Sequence, residues 1–270
     1  MERDMSINII STPRPGNSTI LTKPFPLILV VNHSLTQQQQ QTLEALSYHR
    51  EYGAEAELEY GFGKKVGRIF VGTDTEPYII HHGLLSASSD FFDKALNGQF
   101  RENGGDVSLP DENSESFNIY QQWLYAGKIN LAEQDSEQGW QSPILLYILG
   151  DMIQDEDFRN AVINWMMDTV LSIRAYPASP TTVDFVYKNT CPTSMLRKLI
   201  VDLTIYDSTY EDSLLDRIKA EACNVKYPAE FWFELCCGLA THTKVEPEPL
   251  PSWVMNRCQY HDHIKTPKCI

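Results

Sequence analysis

The stretch Tyr78-Ile79-Ile80-His81-His82-Gly83-Leu84-Leu85-Ser86-Ala87-Ser88-Ser89-Asp90-Phe91-Phe92 changes its apolar spacing part-way along. Tyr78-Ile79-Ile80 reads as a strand, the second arm of a hairpin. The first arm holds Val66, Ile69 and Val71, and Gly72 and Asp74 supply the turn. Beyond the strand, Leu84 and Leu85, then Phe91, Phe92, Ala95 and Leu96, recur three and four residues apart, which predicts two short helices. Ser88 or Ser89 is the expected N-cap of the second helix, and Gly98 its stop. A hairpin running into a helix pair already points to a mixed architecture.

The text on the C-terminal side extends that reading. Val107-Ser108-Leu109 is a short strand ended by Pro110. Ser114 opens a capped helix with Phe117, Tyr120 and Leu124 on its apolar face, and Gly127 stops it. Ser142-Pro143 opens another, because proline's missing N–H costs nothing in a first turn. Phe158, Val162, Trp165, Met166 and Val170 form one stripe of the next helix. Asp155-Glu156-Asp157 precede it, where negative charge complements the helix dipole. Later helices are marked by Val183, Val186 and Tyr187, by Leu196, Leu199, Ile200 and Leu203, and by Phe231, Leu235 and Leu239. The predicted class is α+β: a short mixed sheet flanked by helices, then an α-helical C-terminal extension.

Residues 1–64 have a different texture. Pro13, Pro15, Gly16, Pro24 and Pro26 punctuate the start, and Gln37 to Gln41 are an unbroken glutamine run. This composition predicts a low-complexity, disordered arm. The expected organisation is therefore an arm over 1–64, a folded module over 65–172 and a helical extension over 173–270.

Charge narrows the classes of partner. The chain carries 22 Lys and Arg against 36 Asp and Glu, a formal −14, and residues 66–172 alone hold 5 basic and 17 acidic residues. Such a surface repels phosphate backbones and anionic membranes and favours basic protein faces, so no nucleic acid or membrane partner is expected. The apolar run Leu27 to Val31 is far shorter than the ~18 residues that span a bilayer. Met1-Glu2-Arg3-Asp4 does not read as a secretory leader, so an intracellular setting, cytoplasm or nucleus, is expected. Six cysteines all fall after residue 190. Cys223, Cys236 and Cys237 read as small buried hydrophobes of apolar helices.

The residues quoted above now support a resemblance. Tyr78, His81, Leu85, Ser89 and Phe92 resemble the core pattern F-x-x-H-x-x-x-L-x-x-x-S-x-x-F of the BTB/POZ family, with Tyr78 where Phe is usual. Trp123-Leu124-Tyr125-Ala126-Gly127 looks like its W-L-Y-T-G helix exit, with Ala126 for Thr. Leu146-Tyr147-Ile148-Leu149-Gly150-Asp151 looks like its L-Y-x-L-A-D helix, with Gly150 for Ala. Trp123-Leu124-Tyr125, Tyr187, Leu196-Arg197 and a Cys-x-x-His-x-His ending are most similar to fungal BTB proteins.

The resemblance implies protein–protein recognition, a homodimer, and an adaptor role for cullin-type ubiquitin ligases. In adaptors a hydrophobic-x-Glu signature helps engage the cullin, and Phe100-Arg101-Glu102 occupies that place, which nominates Phe100 and Glu102 as partner-binding residues. A self-associating scaffold or transcriptional co-regulator without a ligase link is the competing expectation. The resemblance also makes the pair His81 and His82 structural.

The ending Cys258-Gln259-Tyr260-His261-Asp262-His263 to Cys269 offers four nitrogen and sulfur donors at spacings of three, two and six. Cys258, His261, His263 and Cys269 are thus candidate zinc ligands. On an extended strand His261 and His263 point to opposite sides, and only a local turn brings both inward. Among enzyme signatures, G-x-x-x-x-G-K-[ST], G-x-G-x-x-G, G-x-S-x-G and H-E-x-x-H are not found, and a non-enzymatic module without an organic cofactor is expected.

Overall fold

The computed structural model describes residues 64–97, 106–131, 137–173, 176–211, 226–242 and 250–269. The expected arm over residues 1–64 lies, but for Lys64, outside this range, as do the expected stop Gly98 and the residues Phe100, Glu102 and Cys223.

Three strands form one mixed sheet in the order β2-β1-β3: β1 Val66–Val71, β2 Tyr78–His81 and β3 Asp106–Leu109. β1 and β2 are the antiparallel hairpin, with Arg68 opposite Ile79 and Gly67 opposite Ile80. β3 runs parallel to β1, pairing Ile69 with Val107 and Val71 with Leu109. Gly72 turns the chain after β1 at φ +56, and a Cβ there would stand 3.0 Å from the Glu112 carbonyl oxygen, so glycine is required twice over. Alternation along β1 buries Gly67, Ile69 and Val71 and turns Val66 and Arg68 outward.

The parallel return from β2 to β3 needs a crossover, which α1 (His82–Ser88) and α2 (Asp90–Asn97) provide. Ser89 is the cap of α2: its Oγ accepts the Phe92 N–H at 3.1 Å and donates to the Ile153 carbonyl at 2.6 Å. α3 (Ser114–Ala126), α4 (Gln141–Met152) and α5 (Glu156–Ile173) complete the body. The cap of α3 is Asn113 rather than the expected Ser114. Asn113 Oδ1 accepts the Ser116 N–H at 2.8 Å, while the Ser114 hydroxyl donates to the Val71 carbonyl. Gly127 ends α3 in the left-handed region, at φ +65.

Aromatic rings join these elements. Tyr78 of β2 meets Phe117 of α3 at 5.0 Å, Tyr120 meets Phe158 of α5 at 4.9 Å, and Trp123 meets Phe158 at 5.1 Å. The first two are edge-to-face pairs, which add roughly 0.5–1.5 kcal/mol beyond the area they bury, and the third is tilted. Tyr78 adds a bond that phenylalanine cannot make, from its hydroxyl to the Ser114 carbonyl at 3.0 Å.

The C-terminal part is helical: α6 (Pro180–Asn189), α7 (Met195–Tyr206), α8 (Ala229–Thr241) and the single turn α9 (Ser252–Met255). The buried apolar cluster runs from Ile69 to Tyr260, so this part shares its core with the sheet-bearing body. Against expectation, Cys236, Cys237 and Leu239 face outward. α8 buries Phe231 and Leu235 four residues apart, and at 100° per residue the positions between them swing away from α7. No helix among the described residues is long and apolar enough to cross a membrane.

Candidate functional site

Among the described residues, the outer surface of the sheet-bearing body and the segment after Trp253 carry chemistry beyond packing. On the sheet's outward face, Val66 and Ile79 sit diagonally across the β1–β2 pair and are 43% and 50% exposed. Arg68 on the same face forms a bidentate pair with Asp106 of β3. Of the histidine pair, His82 is buried at the first position of α1. His81 ends β2, with its Nδ1 2.7 Å from the Tyr125 hydroxyl. Both belong to the fold.

Asp155 is the buried cap of α5. Its Oδ1 accepts the Phe158 N–H at 2.9 Å and its Oδ2 accepts the Tyr120 hydroxyl at 2.9 Å. Burial pushes its carboxyl up to about 7, although both hydrogen bonds pull the other way.

The chain end is built from its anchors outward. Trp253 is buried against Tyr206, with ring centroids 5.0 Å apart. A 3-10 turn at Arg257–Tyr260 follows, held by Arg257 on Asp168 at 2.6 Å and by the Tyr260 hydroxyl on Asp202 at 2.8 Å. This turn reverses the chain, and the next residues run along α5.

Glu156, Asn160 and Asn164, four residues apart on one face of α5, each hold part of that segment. Glu156 accepts backbone N–H groups from Ile264, Lys265 and Thr266. Asn160 brackets Asp262, donating to its carbonyl and accepting its N–H, both at 2.9 Å. Asn164 Oδ1 lies 3.1 Å from His261 Nε2. Arg159 adds an ion pair to Asp262 at 3.1 Å.

In this setting Cys258, His263 and Cys269 converge, and His261 stands beside them against Cys269. Cys258 Sγ lies 3.1 Å from His263 Nε2, Cys269 Sγ lies 3.8 Å from the same nitrogen, and His261 Nδ1 lies 3.0 Å from Cys269 Sγ. His263 enters the group of mutually close donors, whereas His261 lies outside it, with one ring nitrogen on Cys269 and the other on Asn164. The chain bends after His263, and the two rings come within 6.0 Å. Burial, with charge on His263 and Arg257, lowers His261 to about 4, so its imidazole is neutral at physiological pH. The hold of Glu156, Asn160 and Asn164 on this segment escaped sequence reading. The available signal was three polar residues, Glu156, Asn160 and Asn164, at four-residue spacing along one face of α5.

The hairpin, the crossover helices, the Ser89 cap and the aromatic contacts of Tyr78, Phe117 and Trp123 are the physical content of the sequence pattern noted above. Residues 68–156 match the BTB/POZ domain family. The match begins at Arg68 in β1 and ends at Glu156, the first residue of α5. The BTB/POZ domain is a protein-interaction domain, and a short mixed sheet flanked by helices is the fold this chain gives it. No curated protein matches the sequence closely enough to serve as a relative.

Proposed function

We propose that the chain is a dimeric substrate adaptor for a cullin-type ubiquitin ligase. In this reading the BTB/POZ body spans 65–172, and the helical extension over 173–270 selects the substrate. The observation that carries the reading is the BTB/POZ match over residues 68–156. Charge agrees with it, because a body with 17 acidic and 5 basic residues over 66–172 attracts a basic protein face and repels nucleic acid. The half-exposed Val66 and Ile79 give the sheet an apolar strip of the kind that protein partners cover. Phe100 and Glu102 are the residues assigned to the cullin, the aromatic ring supplying buried area and the carboxylate selecting charge. In this reading the chain is a fungal-type BTB protein acting in cytoplasm or nucleus, with Trp123-Leu124-Tyr125, Tyr187 and Leu196-Arg197 as the residues that support the likeness.

The test is capture of purified cullin by the full chain. Binding that falls at least about tenfold in Phe100→Ala and Glu102→Ala supports the adaptor reading, since truncating an interface hot spot costs about 2 kcal/mol or more. Undiminished binding removes the role from those two residues. No binding by the native chain leaves the scaffold or co-regulator reading in its place. Light scattering across micromolar concentrations checks the dimer, and a strictly monomeric mass overturns it.

A further inference from the structure

The Cys/His cluster at the chain end has more structure around it than packing requires. Two thiols and two imidazole nitrogens are linked by contacts of 3.0–3.8 Å, Cys258 and Cys269 each to His263 and His261 to Cys269. Donors bound at ~2.0–2.3 Å around a tetrahedral ion are separated by roughly 3.6 Å, so Cys258, His263 and Cys269 are spaced to share one, and a swing of His261 toward them would fill the fourth position. The thiols of Cys258 and Cys269 and His263 Nε2 lie within 4.8 Å of one another. His261 presents Nδ1 to the cluster while its other nitrogen meets Asn164 Oδ1, the orientation by which an outer amide or carboxyl fixes a metal-bound imidazole.

We propose that Cys258, His261, His263 and Cys269 form a tetrahedral structural zinc site that fastens the chain end to α5. Two thiolates and two neutral imidazoles cancel the ion's charge, so the closed site is neutral and suits its half-buried place. Binding transfers no electrons: each thiol gives up its proton to solvent as its sulfur takes the metal. The ion supplies the crosslink, and Glu156, Asn160 and Asn164 supply the surface onto which it locks the segment. Hydrogen bonds between thiols and imidazoles are weak, and they leave unexplained why such groups gather on a turn held by three polar side chains of one helix.

The full chain, produced with zinc and purified in reductant without chelator, is tested by metal analysis. About one zinc per chain is expected. Cys258→Ser and His263→Ala should each lower zinc affinity at least about tenfold, and Asn164→Ala about 10- to 100-fold through loss of imidazole orientation. Cys191→Ser, an exposed cysteine at another place in the fold, should leave zinc unchanged. Circular dichroism establishes that the variants remain helical, and replacement of zinc by cobalt should give the strong visible absorption of a tetrahedral thiolate site, lost in Cys258→Ser. Zinc well below one equivalent in the native chain overturns the proposal. So does zinc undiminished in Cys258→Ser, or a Cys258–Cys269 disulfide in protein kept under reductant.

Discussion

Glu156 and Thr266 are separated by 110 residues, yet the Glu156 carboxylate accepts the Thr266 N–H at 3.0 Å and its hydroxyl at 2.5 Å. Glu156 therefore belongs to two structures at once, the first turn of α5 and the clasp on the chain end. Glu156→Ala should cost about 1–3 kcal/mol, because three backbone N–H groups lose their acceptor. Urea unfolding measures the cost, and amide exchange should show residues 264–266 losing protection while the sheet keeps its own. Unchanged exchange at 264–266 would show that the carboxylate does not hold the segment.

Asp155 sets a pH dependence. Its folded value of about 7 stands above the ordinary 3.8, so its protonated form is the one that folding favours. That contribution is fully present below pH ~4 and is lost as pH rises through ~7, by on the order of a few kcal/mol. Asp155→Asn keeps an acceptor for the Phe158 N–H and does not titrate. The stability of the native chain relative to Asp155→Asn should therefore fall between pH 4 and pH 8. A relative stability that rises over that range would mean that the cap is a carboxylate throughout.

Arg197 is buried and stacks over Tyr187 with its guanidinium carbon 4.3 Å from the ring centroid. It donates to the Tyr187 carbonyl at 2.7 Å, to the Thr190 hydroxyl at 3.0 Å and to the Thr190 carbonyl, and so closes the C-terminal end of α6. Lysine keeps the charge but not the planar fork. Arg197→Lys should lose about 2–4 kcal/mol of stability, read as a lower urea midpoint at unchanged slope. A loss below about 0.5 kcal/mol would show that charge alone suffices.

Gly238 lets α8 approach α7. A Cβ there would stand 2.2 Å from Ile205 Cδ1. Gly238→Ala gains up to about 1 kcal/mol of helix propensity, and should still destabilise by about 1–3 kcal/mol through overpacking. Ile205→Val removes the clashing methyl, so thermal melts of the double variant should recover part of the loss. Additive losses in the pair would exclude this clash as the cause.

The sheet and its crossover were legible because their determinants are close together in sequence. Ser89 and Phe92 are three residues apart and bond directly, and the change of period after Ile80 marks the strand–helix junction. The misreadings came from competition and from distance. Asn113 takes the cap of α3 because the Ser114 hydroxyl is drawn to β1, a contact that spans 43 residues. Cys236 and Cys237 looked buried because α8 is apolar on several sides, whereas its seat on α7 uses the Phe231 and Leu235 stripe. The candidate ligands were visible as residue types, but their convergence depends on a turn and on a helix face about 100 residues earlier.

The order of synthesis gives the clasp on Glu156 a consequence of its own. A ribosome adding 5–20 residues per second delivers Thr266 roughly 5–20 s after Glu156. Until then the first turn of α5 lacks the segment whose backbone N–H groups occupy the Glu156 carboxylate in the finished fold.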